Sequence, residues 1–291
     1  MIFSLYTDYG ALNSVPVFEA FAKSLTDAGH TVIYNEPYRV MDHYDNYDVA
    51  VIWSVLWHGR MAKNKQIWDL NRQLGKPVIV LEVGGIKRGI TWKVGLNGIN
   101  RDAYFGPVGN DSTRAASLGL SLTSWKNEGE YILLCGQHEQ SEQWRNMPRM
   151  SYWIIETITN IQKHTSRPII FRPHPRCPLP YIEHEFKNVR RQEPIKINGT
   201  YDDFDISFNN AHATVSWSSN PGIHSILEGV PAFVGQSSLA YDAANDIDFL
   251  HDIEKPYKPD RQQWLNDYAW TEFTLEEISQ GIPLKRLTDR L

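Results

Sequence analysis

Six short apolar runs along this chain each end in a small polar turn that contains glycine or proline. The runs are residues 2–6, Val49–Trp53, 77–81, Tyr131–Cys135, 168–171 and 213–215. Their turns are residues 7–10, 54–59, 82–85, 136–138, 172–175 and 216–222. The runs are nearly continuous rather than alternating, so each is expected as a strand covered on both faces. Segments with helical spacing lie between them. Val15–Asp27 places Val17, Phe18, Phe21, Ala22 and Leu25 on one stripe and stops at Gly29. Residues 61–74, Met150–His164, 203–210 and 222–229 read the same way, and Thr31–Tyr34 and 230–234 add two strands. Buried strands alternating with helices mean an α/β fold on parallel sheets.

The pattern runs once through the first half and restarts near Tyr131, and 291 residues are ample for two cores. A stretch rich in Ser, Thr, Asn and Gly, residues 111–129, is expected as the linker. The expected domains are residues 1–120 and 121–291, the second ending in two helical segments over 261–280 with a break near Thr274. Two such Rossmann-like domains face a cleft in this reading. Ligands of open α/β sheets bind beyond strand carboxyl ends, where all six turns fall.

Bulk properties narrow the partners. A net charge of −5 argues against coating nucleic acid through overall electrostatics, though not against a local basic groove. Two cysteines without metal-ligand spacing, Cys135 and Cys177, fit a reducing compartment. No run approaches the ~18 apolar residues of a membrane span, and residues 1–6 offer no leader pattern. A cytoplasmic protein (host cytoplasm, if viral), monomeric or homodimeric, is expected.

The turns carry the chemistry. In Ser216-Trp-Ser-Ser-Asn-Pro-Gly222, small residues precede a helix, so backbone N–H groups and hydroxyls converge on a helix N-terminus that suits a phosphate. Ser218, Ser219, Asn220 and Gly222 are the contacts expected there, although an ordinary N-cap fits the same residues. His174, held between Pro173 and Pro175, would donate to phosphate oxygens, with Arg172 adding charge. Gly136 and Gln137 lie at a neighbouring strand end, and Glu228 would accept from ribose hydroxyls or else be a solvated helix residue. In the first half, Asp8 and Glu82 follow strands and are expected as bases for an acceptor hydroxyl, with His58 the third choice. An Asx turn explains Asp8 equally well. Tyr9, Gly10, Gly84 and Gly85 would lie against the acceptor. Lys87, Arg88, Lys93 and Arg101, with Trp92 among them, would form a basic, stacking rim, or else a solvated loop. No dinucleotide-binding, Walker, zincin or nucleophile-elbow motif occurs, and no metal is expected.

The second half resembles the GT-B glycosyltransferases, and among them the capsular polysaccharide synthesis and Kdo-transferase group. The resemblance lies in Arg172-Pro-His-Pro, in residues 218–229 followed by Val230-Pro231, and in the tail from Trp264 to Gly281. It implies a nucleotide-sugar donor, a UDP-sugar first, with no obligatory cofactor, and phosphates held by His174, Ser218 and Ser219. Residues 81–100 of the first half look like small bacteriophage-type glycosyltransferases, some of which modify pyrimidines in DNA. That resemblance implies a hydroxymethylated pyrimidine in DNA as acceptor. A surface polysaccharide acceptor, a nucleotide-sugar epimerase and a non-catalytic nucleotide-sugar-binding protein are the alternatives.

Overall fold

The structure, a computed structural model, describes residues 1–35, 46–199 and 203–291. They divide into two compact units. The first begins with β1 (Ile2–Leu5), α1 (Val15–Asp27), β2 (Thr31–Tyr34), β3 (Val49–Trp53), α2 (Asn64–Gln73), β4 (Val78–Val83) and β5 (Thr91–Leu96). At Asp111 the chain enters the second unit with α3 (Thr113–Ser117), β6 (Tyr131–Cys135), α4 (Met150–His164), β7 (Ile169–Arg172) and β8 (Val189–Arg191). This unit continues with β9 (Ala211–Ser216), α5 (Asn220–Leu227), β10 (Ala232–Val234), β11 (Asn245–Asp246) and α6 (Gln262–Tyr268). The chain then rejoins the first unit with β12 (Glu272–Thr274), α7 (Leu275–Ser279) and α8 (Ile282–Leu287). Gln140–Glu142 also belong to the first unit. The tail therefore packs with the amino-terminal unit, and residues 111–129, read from sequence as linker, carry α3 inside the second.

The first sheet has the order β12-β5-β4-β3-β1-β2, parallel from β2 to β4, with β5 antiparallel to both neighbours. Alternation along β3 explains why it is apolar throughout. Val49, Val51 and Trp53 join the stripe of α1 with Phe3 and Leu5, while Ala50 and Ile52 meet Ile67 and Trp68 of α2 on the other face. The tail helices contribute Ile278, Leu284 and Leu287 to the α1 side. Gly29, at φ +79, ends α1 as a left-handed C-terminal residue.

The second sheet has the order β11-β10-β9-β6-β7-β8 and is parallel throughout. Renumbered within the unit, this is 3-2-1-4-5-6, the dinucleotide-binding arrangement, whose order reverses between β6 and β9. Met150, Trp153, Ile154, Ile158 and Ile161 of α4 cover Leu134, Phe171 and Val215 on one face. Leu133, Cys135, Ile170 and Val230 form the opposite core.

The expected helix at 203–210 is not formed. The Asp205 carboxylate accepts from Ile195 N–H at 2.8 Å and the Ser207 hydroxyl from Asn209 N–H at 3.2 Å. Short polar side chains that bond nearby backbone compete with helix formation. The 61–74 segment is also split, into a 3-10 turn at Gly59–Lys63 and α2.

Candidate functional site

Register brings the important loops of the second unit to one level. Cys135 pairs with Arg172 on one side and Ser216 on the other, and Ser216 pairs with Val234. The loops starting at Gly136, Pro173, Trp217 and Gly235 therefore leave the sheet together. All four are tied to a neighbour, the last by Gly235 N–H donating to Trp217 O at 2.8 Å. Gly136 N–H donates to Arg172 O at 2.8 Å. Gln137 Oε1 accepts both the Ser218 N–H, at 3.0 Å, and the Ser218 hydroxyl, at 2.8 Å. The His138 ring packs edge-on against His174, centroids 5.5 Å apart. A Cβ on Gly136 would stand 3.3 Å from His174 N, so glycine lets the histidine loop come this close.

The tautomer of His174 follows from its own turn. Arg176 N–H donates to His174 Nδ1 at 3.1 Å. Nδ1 is thus the acceptor, and the neutral ring carries its proton on Nε2.

Next to this lies the start of α5. Ser219 occupies its N-cap position with extended backbone, yet its side chain makes no capping bond. Its hydroxyl oxygen is buried and without a partner, as are those of Ser216 and Ser237. Hydroxyls normally satisfy first-turn amides at this position. Here three serines at the ends of two adjoining strands keep their capacity unspent, at the positive end of a helix. Gly222 permits the helix to sit so near, because a Cβ there would lie 2.8 Å from Ser216 Oγ and 3.0 Å from Val234 Cγ1.

Two other expected donor contacts, Arg172 and Glu228, differ in their surroundings. Arg172 shares a face of β7 with Ile170, and its Nη2 bonds the carbonyl and carboxylate of Asp205. At 6 % exposure this guanidinium is buried, with Nη2 held by Asp205 and Nη1 without a hydrogen-bond partner among the described residues. Glu228 is the exposed C-terminal cap of α5, about 12 Å of helix rise from the serine-rich end. Asn220 begins the helix, half-buried.

In the first unit, Asp8 is exposed in the 3-10 turn Thr7–Tyr9 after β1, its N–H bonded to Asn35 Oδ1. Tyr9 is tethered by Asn64, whose amide donates to Tyr9 O and Trp53 O, and it lies under Lys63 at 5.3 Å. Gly10 is buried against Ser14. His58 is exposed, with Nδ1 2.6 Å from Gln140 Oε1. Glu82 is half-buried, accepting from Val83 N–H at 2.7 Å.

The expected acceptor loop is occupied by the chain itself. The Glu272 carboxylate accepts from Gly85 N–H at 2.6 Å, Ile86 N–H at 2.9 Å and Thr91 Oγ1 at 2.7 Å. Any Cβ on Gly84 would strike Glu272 and the Thr91 carbonyl. These glycines therefore admit the tail strand, not a substrate. The basic rim is also corrected. Trp92 and Lys93 are buried within β5, Trp92 in the core, and Lys93 stands in register between Glu82 and Glu272. Burial holds the Lys93 ammonium below its ordinary value, against the pull of both carboxylates. Lys87 and Arg101 are exposed, and Arg88 bonds Gly84 O.

Sequence reasoning did not single out His138, Ser237 or Gln140, and it placed Ser216 in the turn without naming it as a contact. His138 directly follows Gln137, so its place at a strand end was visible. The pairing of Gln140 with His58 had no local signal.

Among the described residues, no three His, Cys, Asp or Glu side chains are grouped to hold a metal ion, and no helix is long and apolar enough to cross a membrane. No family model and no curated protein matches this chain. Solved structures do. The beta Kdo 2,7 transferase of Thermosulfurimonas dismutans KpsC is 17% identical, with a TM-score of 0.58 over 98% of this chain and 100% of that one. The beta Kdo 2,4 transferase of the same KpsC is 11% identical, with a TM-score of 0.48 over 93% and 90%. The first of these likenesses shows the fold: two α/β units.

Proposed function

We propose that this chain transfers a sugar from a nucleotide-sugar donor to a hydroxyl acceptor. One observation carries the reading. At the point where strand order reverses, the loops after β6 and β9 are tied by Gln137 and Ser218, beside an N-cap serine whose hydroxyl is unspent. Beyond the carboxyl ends of such strands a nucleotide phosphate is the expected ligand. His174 Nε2–H and the hydroxyls of Ser218 and Ser219 would hold it, stabilising the leaving phosphate as the glycosidic bond breaks. The likeness in fold to a Kdo transferase supports the same class.

For the acceptor, a saccharide hydroxyl is the better-supported choice. The case for DNA drew on the resemblance of residues 81–100 and on a basic rim, and of that rim Trp92 and Lys93 are buried. A hydroxymethylated pyrimidine in DNA is the second reading, supported by the exposed Lys87 and Arg101. Either acceptor would meet the first unit, whose loop ends carry Asp8, Tyr9 and His58.

The test is a thermal-shift panel of UDP-, GDP- and CMP-sugars, followed by transfer assays. A donor at a hundred times its Kd should stabilise the native state by about 2.7 kcal/mol, and His174→Ala should abolish transfer while leaving the fold intact. Transfer to an oligosaccharide separates the two acceptors from a salt-sensitive gel shift with modified DNA. An epimerase would instead convert donor alone. Near wild-type turnover by His174→Ala would remove the mechanism.

A further inference from the structure

The first sheet has a reversal of strand order of its own. β2 lies on one side of β1, and β3 and β4 lie on the other, all four parallel. The order therefore turns between β1 and β3, and ligands of such sheets bind beyond the strand carboxyl ends at that point. Two connections leave the sheet there. One is the turn Thr7–Tyr9 with residues 10–14, after β1; the other is residues 54–63, after β3, which lead into α2. Asn64 joins them. It is fully buried, and its Nδ2 donates to Tyr9 O at 3.2 Å and to Trp53 O at 2.6 Å.

The polar groups left unmatched at this point are acceptors. Asn64 Oδ1 and Asn13 Oδ1 are buried and find no hydrogen-bond partner among the described residues. Both bonds of the Asn64 side chain run from its nitrogen, so the orphaned atom is the amide oxygen. The Asp8 carboxylate, exposed on the turn, also only accepts. Its place is set by Asn35, whose Oδ1 accepts from Asp8 N–H and whose Nδ2 donates to Thr7 Oγ1, each at 3.2 Å. Tyr9 is half-buried and contributes an aromatic ring, with Lys63 Nζ 5.3 Å from its centroid. The second unit has the opposite character at its own reversal. There the groups on offer are donors, the Nε2–H of His174 and the serine hydroxyls, as a phosphate requires.

This difference selects a ligand. Phosphate oxygens accept hydrogen bonds, so they would meet orphaned acceptors here and a like charge at Asp8. A saccharide brings several O–H donors and no charge, and one face of its ring is apolar enough to lie on an aromatic side chain. We propose that the ends of β1 and β3 form a saccharide-binding subsite of the first unit, in which Asp8, Asn13 and Asn64 accept from sugar hydroxyls. The inference rests on the transferase reading above for the role of that sugar as acceptor, and on the first unit alone for its binding. Of the two acceptor readings it favours the glycan, because a nucleic acid would present its phosphates to these same oxygens.

The test is saturation-transfer NMR of the full chain without nucleotide. The probes are the methyl α-glycosides of glucose, galactose and mannose, together with maltose and lactose. At least one should bind. Asp8→Ala should weaken it about 10-fold, the worth of a hydrogen bond to a charged group, and Asn13→Ala should weaken it several-fold. Asp8→Asn keeps an acceptor oxygen and should retain more affinity than Asp8→Ala. Asp8 is exposed and its N–H bond to Asn35 survives these changes, so the melting temperature should stay near that of the wild type. A single-stranded thymidine oligonucleotide should not displace the sugar. No binding by any of the five sugars, binding indifferent to Asp8→Ala and Asn13→Ala, or displacement by the oligonucleotide overturns the inference. The nucleotide-sugar panel reads the transferase proposal separately. Donor binding without glycoside binding sinks the subsite alone. Asp8-dependent glycoside binding in a chain that takes no nucleotide-sugar keeps the subsite and ends the transferase reading.

Discussion

Gln137 Oε1 accepts two hydrogen bonds from one residue, the N–H and the hydroxyl of Ser218, and all these atoms are buried. A single amide thereby fixes the loop after β9 against the loop after β6, in a sheet whose strand order reverses between those strands. Gln137→Leu would leave two buried donors without partners, at a cost of about 1–3 kcal/mol. Urea unfolding should register that loss. The same variant should weaken the stabilisation given by a nucleotide-sugar more than it weakens the fold, because the Ser218 turn loses its fixed position. Equal thermal shifts in wild type and variant would show that this link plays no part in binding.

Arg172 and Asp205 make the opposite case, an ion pair with a structural role. The guanidinium is buried while the carboxylate is about half exposed, so removal of the carboxylate leaves the buried charge with only the Asp205 carbonyl as partner on Nη2. Asp205→Ala should therefore cost about 1–3 kcal/mol, the range for a lost hydrogen bond to a charged group. Nucleotide affinity measured well below the melting point should change by less than about 2-fold, or 0.4 kcal/mol. A large loss of affinity with little loss of stability would return Arg172 to the ligand.

Lys93 gives a pH dependence of definite sign. The unfolded chain holds this proton up to the ordinary value of 10.5, and the folded chain releases it earlier because burial disfavours the ammonium. Between the two values the unfolded state binds more protons, so the contribution of Lys93 to stability rises with pH. Below the lowered folded value, the folded state carries the full cost of the desolvated charge. The difference in unfolding free energy, wild type minus Lys93→Met, should grow more positive as the pH rises towards the ordinary lysine value of 10.5. Urea titrations at several pH values measure it. A flat difference would show that Glu82 and Glu272 fully offset the burial.

The reach of the sequence can be judged from particular residues. β6, α4 and α1 were legible to the residue, because an unbroken apolar run or a 3.6-residue stripe depends on no distant partner. The 203–210 segment misled because Asp205 and Ser207 spend their oxygens on nearby backbone, an outcome that periodicity does not register. Arg172 could have been placed correctly. Strand alternation puts it on the Ile170 face, whereas His174 lies beyond the strand end. The glycines at 84 and 85 were rightly read as places of close approach, but what approaches is Glu272, 187 residues from Gly85 along the chain. Lys93 falls in the same class. Its neighbours in sequence look like a solvated basic loop, and only the pairing of β5 between β4 and β12 buries it.

Gly222 tests how tightly the start of α5 must sit. Alanine in a helix is ordinarily more stable than glycine by roughly 0.5–1 kcal/mol, and φ at this position is not left-handed. Here the new methyl would stand 2.8 Å from Ser216 Oγ and 3.0 Å from Val234 Cγ1, both on strands that cannot retreat without disturbing the sheet. Overpacking of this kind costs about 1–3 kcal/mol, so the sign reverses and Gly222→Ala should destabilise. Part of the strain is with the serine hydroxyl, which makes no hydrogen bond that its removal would break. Ser216→Ala should therefore be nearly neutral alone and should recover some of the Gly222→Ala loss, with a coupling of at least ~0.5 kcal/mol in a double-mutant cycle. Additive losses would mean that the hydroxyl and the first turn of α5 do not share one crowded space. The arrangement of unspent serines around that turn would then have to be abandoned.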